Sequence, residues 1–273
     1  ALFCLLTDKI DREVMEAAGP SLKIIANYAV GFDNIDIPAA KEKGLAVTNT
    51  PGVLTETVAE HTFALILAVA HKIAEADRFT REGQYHGWAP MLLLGTDVSH
   101  ATLGIIGLGR IGSRVAHHAV HGFDMKAVYY DVARNEAFEK EFGATYVSLE
   151  DLLAQSDFVS IHVPLLPSTK HLLNRERLGL MKKTAYLVNT SRGPIIDEAA
   201  LVTALTLRTI RGAALDVFEN EPAVHPGLIG LSNVILTPHI ASATEATRSK
   251  MSELAAQNII DVMEGREARN AVK

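Results

Sequence analysis

Cysteine is almost missing from this chain: Cys4 stands alone among 273 residues. A single cysteine excludes an intramolecular disulfide, and the chain is expected to work in the reducing cytoplasm. Cys4 sits in the apolar run Ala1 to Leu6, where a small buried thiol packs rather than reacts. Long hydrophobic stretches are absent too. The longest, Phe63 to Ala70, falls far short of the ~20 residues that span a bilayer and reads as a buried helix, so no membrane partner is expected. Lysine and arginine nowhere cluster and the net charge is −6, which leaves no electrostatic footprint for nucleic acid. Internal repeats, low-complexity tracts and charge blocks are likewise lacking. What is there is an ordinary globular composition, 48% hydrophobic and 21% charged, long enough for one large domain or two modest ones.

Ala1 to Leu6 reads as a core strand, and Asp11 to Ala18 as a short helix stopped by Gly19-Pro20. Lys23 to Asn27 and Leu45 to Thr48 are further strands. Between them lies a helix capped by Asp36, with Pro38 in its first turn and Gly44 past its end. After Pro51-Gly52, Thr57-x-x-Glu60 has the form of a capping box, which predicts one long helix through about Arg78. Arg81 to Leu94 loses all periodicity and holds the only tryptophan, Trp88. From Thr102 strands are predicted near 103–107, 126–130, 157–161, 184–188, 211–215 and 233–236, with helical segments between them. Ser148 and Asp197 mark two of the helix starts. Strands alternating with helices imply parallel pairing and a doubly wound α/β sheet. Thr244 to Met263 is a last helix, ended by Gly265, and is expected to return to the first domain. The expected division is therefore 1–53 with 243–273, and 54–242.

The sharpest motif is Gly107-Leu108-Gly109-Arg110-Ile111-Gly112, which follows the strand of Leu103 to Ile106 and opens a helix. Gly107 permits the tight turn, Gly109 has no Cβ to block a pyrophosphate, and Gly112 lets the helix approach the strand. The helix N-terminus faces the anion with free N–H groups and the positive end of its dipole. The next strand, Lys126 to Tyr130, ends in Asp131, about twenty residues on, where a carboxylate can accept both ribose hydroxyls of an adenine nucleotide. This is the dinucleotide-binding pattern of the Rossmann fold. Ligands of such sheets bind beyond the carboxyl ends of the strands. Those ends carry His162-Val163-Pro164, Asn189-Thr190-Ser191-Arg192-Gly193, Asp216-Val217-Phe218-Glu219-Asn220-Glu221-Pro222 and Thr237-Pro238-His239.

Gly107 to Gly112, Asn189 to Gly193, Asp216-Val217-Phe218-Glu219-x-Glu221-Pro222 and Thr237-Pro238-His239-Ile240-Ala241 resemble the signatures of the D-isomer-specific 2-hydroxyacid dehydrogenases, most closely the glyoxylate/hydroxypyruvate reductase branch. The order matches over essentially the whole chain. The resemblance implies that Arg192, Glu221 and His239 form the catalytic set and that the amides of Val30 and Gly31 reach the substrate, with Arg192 and His239 also touching it. It implies a cofactor set of Gly107 to Gly112, Asp131, His162, Pro164, Thr169, Thr190, Asp216 and Ala241, and no metal. It further implies a smaller, flavodoxin-like α/β domain, here expected to be N-terminally incomplete, and a homodimer in which Trp88 either packs locally or reaches the neighbouring subunit's site. His100-Ala101 stands where the family usually has a Gly-Lys pair, in a surface turn.

Chemistry supports those roles independently. A 2-keto acid presents a carboxylate beside a carbonyl, and a planar guanidinium such as that of Arg192 can clamp the first and polarise the second. The alkoxide formed by hydride delivery needs a proton, which an imidazole, with its ordinary value near 6.5, supplies near neutrality. His239 suits that task, and a carboxylate such as Glu221 beside it favours the imidazolium. Asp216 is read either as orienting the nicotinamide or as purely structural. NAD is expected over NADP, because a 2′-phosphate about 4 Å from Asp131 costs on the order of 4 kcal/mol at an effective dielectric of 20. Arg134 is near enough in sequence to soften that repulsion.

His117, His118 and His121 have helical spacing but no acidic or cysteine partner, so they read as a solvated helix end. His162 is expected to line the adenine side. A second functional class, a dinucleotide-sensing corepressor-like module, stays open, as do phosphoglycerate, D-lactate and phosphite as substrates. Formate-type relatives normally lack the acid found at Glu221.

Overall fold

A computed structural model describes residues 1–272. The chain divides into two compact units, 1–57 with 242–273, and 58–241. The first boundary falls after Thr57 rather than Val53, because the opening turn of the following helix is tied to the first unit: the Thr57 and Thr247 hydroxyls lie 2.6 Å apart.

In the first unit, β1 (Leu2–Cys4), α1 (Arg12–Ala17), β2 (Ile24–Asn27), α2 (Ile37–Glu42) and β3 (Ala46–Thr48) build a three-stranded parallel sheet in the order β1-β2-β3. Its helix starts are set by side chains: Asp11 accepts from the Val14 amide and Asp36 from the Ala39 amide. Cys4 is buried among Ile10, Met15, Ile25 and Val47. Burial, helped by the charge of Asp8, pushes its thiol up to about 11, so it stays protonated and inert at neutral pH.

The second unit contains most of α3 (Thr55–Ala70), followed by α4 (Ile73–Arg81). The single long helix expected through Arg78 is in fact this pair, bent by 61°. Lys72 at the break is left-handed, with φ +55°. The Ala70 carbonyl that would continue the ladder instead accepts from the Thr96 amide at 2.9 Å. Thr57 lies inside α3, which begins at Thr55 and so earlier than the capping-box reading placed it. No single helix among the described residues is long and apolar enough to cross a membrane.

Then come β4 (Thr102–Ile106), α5 (Arg110–Phe123), β5 (Lys126–Tyr130), α6 (Glu136–Phe142), β6 (Thr145–Tyr146), α7 (Leu149–Gln155) and β7 (Phe158–Ile161). After them come α8 (Arg175–Leu180), β8 (Tyr186–Asn189), α9 (Glu198–Thr206), β9 (Gly212–Leu215), α10 (Pro226–Ile229) and β10 (Val234–Leu236). All seven strands pair in parallel, in the order β6-β5-β4-β7-β8-β9-β10. The order reverses between β4 and β7, which is the switch point where doubly wound sheets bind dinucleotides. Both faces are covered: Ile106, Leu152, Ile161 and Leu187 pack on one side, and Ile66, Ile105, Val115 and Val188 on the other. That explains the near-continuous apolar runs of the central strands. β6, only two residues long, carries too short a pattern to be read from sequence. Finally α11 (Glu245–Met263), capped by Thr244, packs on β2 and β3 within the first unit.

Candidate active site

Gly107 follows β4 at φ +96°, and a Cβ there would lie 2.8 Å from the His162–Val163 peptide, so both conformation and space require glycine. A Cβ on Gly112 would meet the Gly107 carbonyl oxygen at 2.1 Å, which is the close helix–strand approach the motif predicts. Gly109 differs: no atom lies within 4 Å of its Cβ position. It is also the N-cap of the fourteen-residue α5 and makes no side-chain cap, so the first amides of that helix face open space beside Arg110 and Ile111. The loop therefore fits a pyrophosphate. At the end of β5, Asp131 accepts from the Leu108 amide through one oxygen and from the Val132 amide through the other, both at 2.6 Å. A carboxylate has about four acceptor positions, so fastening the glycine loop leaves capacity for ribose hydroxyls.

Past β7, His162 is held by a backbone bond to Ile106 and by Ser160 Oγ, 2.8 Å from its Nε2. Burial pushes its imidazole down to about 3, so it is neutral at physiological pH and has no imidazolium proton to give. Thr169 closes the loop behind it, donating to the Pro164 carbonyl at 2.6 Å. Thr190 is nearly buried, its hydroxyl 2.8 Å from that of Thr62 on α3.

Beyond the ends of β8, β9 and β10 stand Arg192, Glu221 and His239, the set expected to be catalytic. His239 Nδ1 lies 2.9 Å from Glu221 Oε2, while Glu221 Oε1 accepts from the Phe218 amide at 3.0 Å. Burial raises the Glu221 carboxyl, but the bonds from His239 and Phe218 and the charges of His239 and Arg192 outweigh it and hold the group below the usual carboxylate range. An ionised Glu221 accepts from Nδ1–H and leaves Nε2 as the nitrogen that exchanges a proton with a ligand. Arg192, half-buried, precedes Gly193 and donates from a terminal nitrogen to the Ser191 carbonyl at 2.9 Å.

Asp216, the last link, is fully buried. Its carboxylate accepts from Thr237 Oγ1 (2.6 Å), the Ile240 amide (2.9 Å) and the Ala241 amide (2.8 Å). Its main-chain carbonyl accepts from the His239 amide at 2.9 Å. These bonds bracket His239, whose backbone is left-handed at φ +55°. That conformation costs on the order of 1 kcal/mol for a residue with a Cβ, and charge-assisted bonds worth about 2 kcal/mol each offset it. These contacts give Asp216 a structural task, alongside the expected one of orienting the nicotinamide. Ala241 serves the same anchor. Burial raises the Asp216 carboxyl, yet His61, Thr237 and the two amides together hold it below its ordinary value.

Nothing in the sequence singles out His61 and Thr62. His61 Nε2 lies 3.5 Å from Asp216 Oδ1, and Thr62 is 128 residues from Thr190. They sit in an apolar helix whose pattern reports only burial.

In the first unit, the Thr50 amide bonds the Ala29 carbonyl at 2.9 Å and Asn49 Nδ2 bonds the Val30 carbonyl at 2.7 Å. These two bonds fix the peptides whose N–H groups belong to Val30 and Gly31, and turn both N–H groups to the opposite side. The rings of His117 and His121 lie 4.7 Å apart against Phe142. Among the described residues no third ligand completes a metal-binding group there or elsewhere.

Residues 63–241 match the family model described as "D-isomer specific 2-hydroxyacid dehydrogenase, NAD binding domain". The chain belongs to the D-isomer-specific 2-hydroxyacid dehydrogenases. A glyoxylate reductase of Korarchaeum cryptofilum is 54% identical over all of this chain and 82% of its own length. Among solved structures, a Thermus thermophilus protein is 46% identical with a TM-score of 0.93, covering all of this chain and 85% of that one. An NADPH-dependent glyoxylate/hydroxypyruvate reductase of Sinorhizobium meliloti, solved with NADP and malonate, is 36% identical with a TM-score of 0.91, covering all of this chain and 84% of that one. Membership makes the chain an oxidoreductase with a nicotinamide dinucleotide as cofactor.

One contact makes the reactive loops interdependent. A Cβ on Gly193 would fall 1.8 Å from the Phe218 carbonyl carbon, so the loops carrying Arg192 and Glu221 touch backbone to backbone. Gly193→Ala must push them apart by roughly an ångström or more, since real Cβ contacts stay beyond 3.0 Å. Steady-state kinetics should show kcat/KM for a 2-keto acid lowered about a hundredfold, and unchanged kinetics would show that the loops can separate without consequence.

Proposed function

We propose that this protein reduces a small 2-keto acid, glyoxylate or hydroxypyruvate, to the D-2-hydroxy acid, and prefers NADH to NADPH. The observation that carries the reading is the 2.9 Å pair of His239 Nδ1 and Glu221 Oε2, with Arg192 at the end of the adjacent strand. Arg192 binds the substrate carboxylate and draws electron density toward the keto oxygen. A nicotinamide held at this sheet edge would supply a hydride to the carbonyl carbon. As that C–H bond forms, the carbonyl π pair moves onto oxygen, and His239 Nε2 delivers its proton there. Glu221 stabilises the imidazolium before transfer and holds the ring afterwards. The named reductases among the relatives favour turnover over a sensing module.

Preference for NAD is supported by two carboxylates. Asp131 stands where the ribose hydroxyls would bind, and Arg134, the nearby cation that could receive a 2′-phosphate, is engaged by Glu139 through two bonds of 2.8 and 2.7 Å. Glu139 also accepts from the Tyr129 hydroxyl at 2.8 Å, which fixes it in place. In this respect the protein is expected to differ from the NADPH-dependent Sinorhizobium enzyme. A homodimer is the proposed assembly, because the segment after α4 leaves Tyr85, Trp88, Met91 and Leu94 each exposed, with Trp88 83% exposed. The cytoplasm is the proposed location.

Two substitutions test the chemistry and the cofactor. His239→Ala should lower kcat for glyoxylate about a thousandfold while leaving NADH affinity by fluorescence titration unchanged; near-normal turnover would remove His239 from the mechanism. Asp131→Ala should raise the ratio of kcat/KM with NADPH to that with NADH about a hundredfold, whereas an unchanged ratio would mean that another group sets cofactor choice.

A further inference from the structure

Behind Glu221 lies a second acidic group that the reaction as described does not use. Glu198, the first residue of α9, is only 4% exposed. Its side chain accepts from the Glu219 amide at 2.6 Å, and the Glu219 side chain accepts from the Glu198 amide at 3.2 Å. Each residue thus supplies a backbone donor to the other's carboxylate. The remaining Glu219 oxygen, Oε1, lies 2.6 Å from His171 Nε2. His171 itself has a left-handed backbone, φ +50°, and its amide bonds the Pro194 carbonyl at 2.8 Å. Three strand-end loops meet in this lock: the one after β7 through His171, the one after β8 through Pro194 and Glu198, and the one after β9 through Glu219.

Two carboxylates so close repel one another. Burial pushes the Glu198 carboxyl up; the Glu219 amide offsets part of that, and the charges of Glu219 and Glu221 add to it. Loop closure alone would be served better by neutral or apolar side chains, since buried charges seldom add net stability. What the arrangement does secure is geometry. Glu219 is two residues from Glu221, in a turn whose Phe218 amide already bonds Glu221 Oε1 and whose Phe218–Glu219 peptide rests on Gly193.

We propose that Glu219, locked by Glu198 and His171, is a positioning residue that sets the Phe218–Glu221 turn so that Glu221 reaches His239 Nδ1. The proposal rests on the assignment of Glu221 and His239 to the reduction. Glu219→Gln keeps the size of the side chain but puts an NH2 group where one oxygen met a donor, so the lock opens on one side. The Glu219 side chain bonds Glu198 and His171 and belongs to neither the expected substrate set nor the expected cofactor set, so its effect passes through Glu221.

The test uses the full chain, with Glu219→Gln and Glu198→Gln made separately, so that if one fails to fold the other still answers. Three quantities are read: kcat and KM for glyoxylate, the dissociation constant of NADH, and the downfield NMR resonance of the His239 Nδ1 proton bonded to Glu221. The expected result is kcat lower by about tenfold, NADH affinity within about twofold of wild type, and loss of the Nδ1 proton resonance. A variant that only melts earlier, with wild-type kcat and an intact Nδ1 resonance, overturns the proposal. Should the wild-type protein reduce no 2-keto acid, the functional reading fails, while the Nδ1 resonance still decides whether the lock positions Glu221.

Discussion

A fully buried, ionised Asp216 holds the turn that presents His239. The turn is one that a residue with a side chain enters at a cost, and the carboxylate recovers that cost by accepting from the amides on the far side of the histidine while its own carbonyl accepts from the histidine amide. Because the acceptor is a charge, the anchor depends on pH in a defined sense. The Asp216 and Glu221 carboxyls both lie below their ordinary values in the folded protein. Their contribution is therefore complete above the ordinary carboxylate range, about 4, and is lost as pH falls through the lower folded values. At neutral pH the histidine is held both by backbone and by ring.

Everything else about the site follows from the direction of seven parallel strands. Their carboxyl ends all face one way, so the glycine loop, Asp131, His162, Arg192, Glu221 and His239 emerge on the same edge of the sheet although they are scattered over most of the second unit. The edge is then stiffened by short polar links between neighbouring loops. Asp131 ties the glycine loop to β5, Gly193 lets two loops touch, and Glu198 with Glu219 and His171 joins three. The two histidines on this edge differ in surroundings. Desolvation holds His162 uncharged near neutrality, whereas His239 sits beside an ionised carboxylate with its other nitrogen available.

Much of this was legible in the sequence because its signals are local. The G-x-G-x-x-G loop, the caps at Asp36, Ser148 and Asp197, and the alternation of apolar strands with helices each depend on a few adjacent residues. The break at Lys72 was not legible, since lysine is a good helix former and the break is imposed by the Thr96 amide taking the Ala70 carbonyl. Nor was the start of α3, where Thr57 has the form of a cap but spends its hydroxyl on Thr247. Side-chain partnerships across long separations were hidden for the same reason. His61 beside Asp216 and the reciprocal bonds of Glu198 and Glu219 exist only once the strands are in order. The donors that Asp216 gathers, Thr237, Ile240 and Ala241, likewise appear only in the folded chain.

With Arg192, Glu221 and His239 in the proposed roles, the nicotinamide-binding sheet is a reductase of small 2-keto acids. The most direct test of this is to mix the purified protein with NADH and hydroxypyruvate, follow NADH consumption, and determine the configuration of the glycerate formed. Each NADH consumed should yield one D-glycerate. Formation of the L-enantiomer, or no NADH consumption with hydroxypyruvate, glyoxylate or pyruvate, would contradict it.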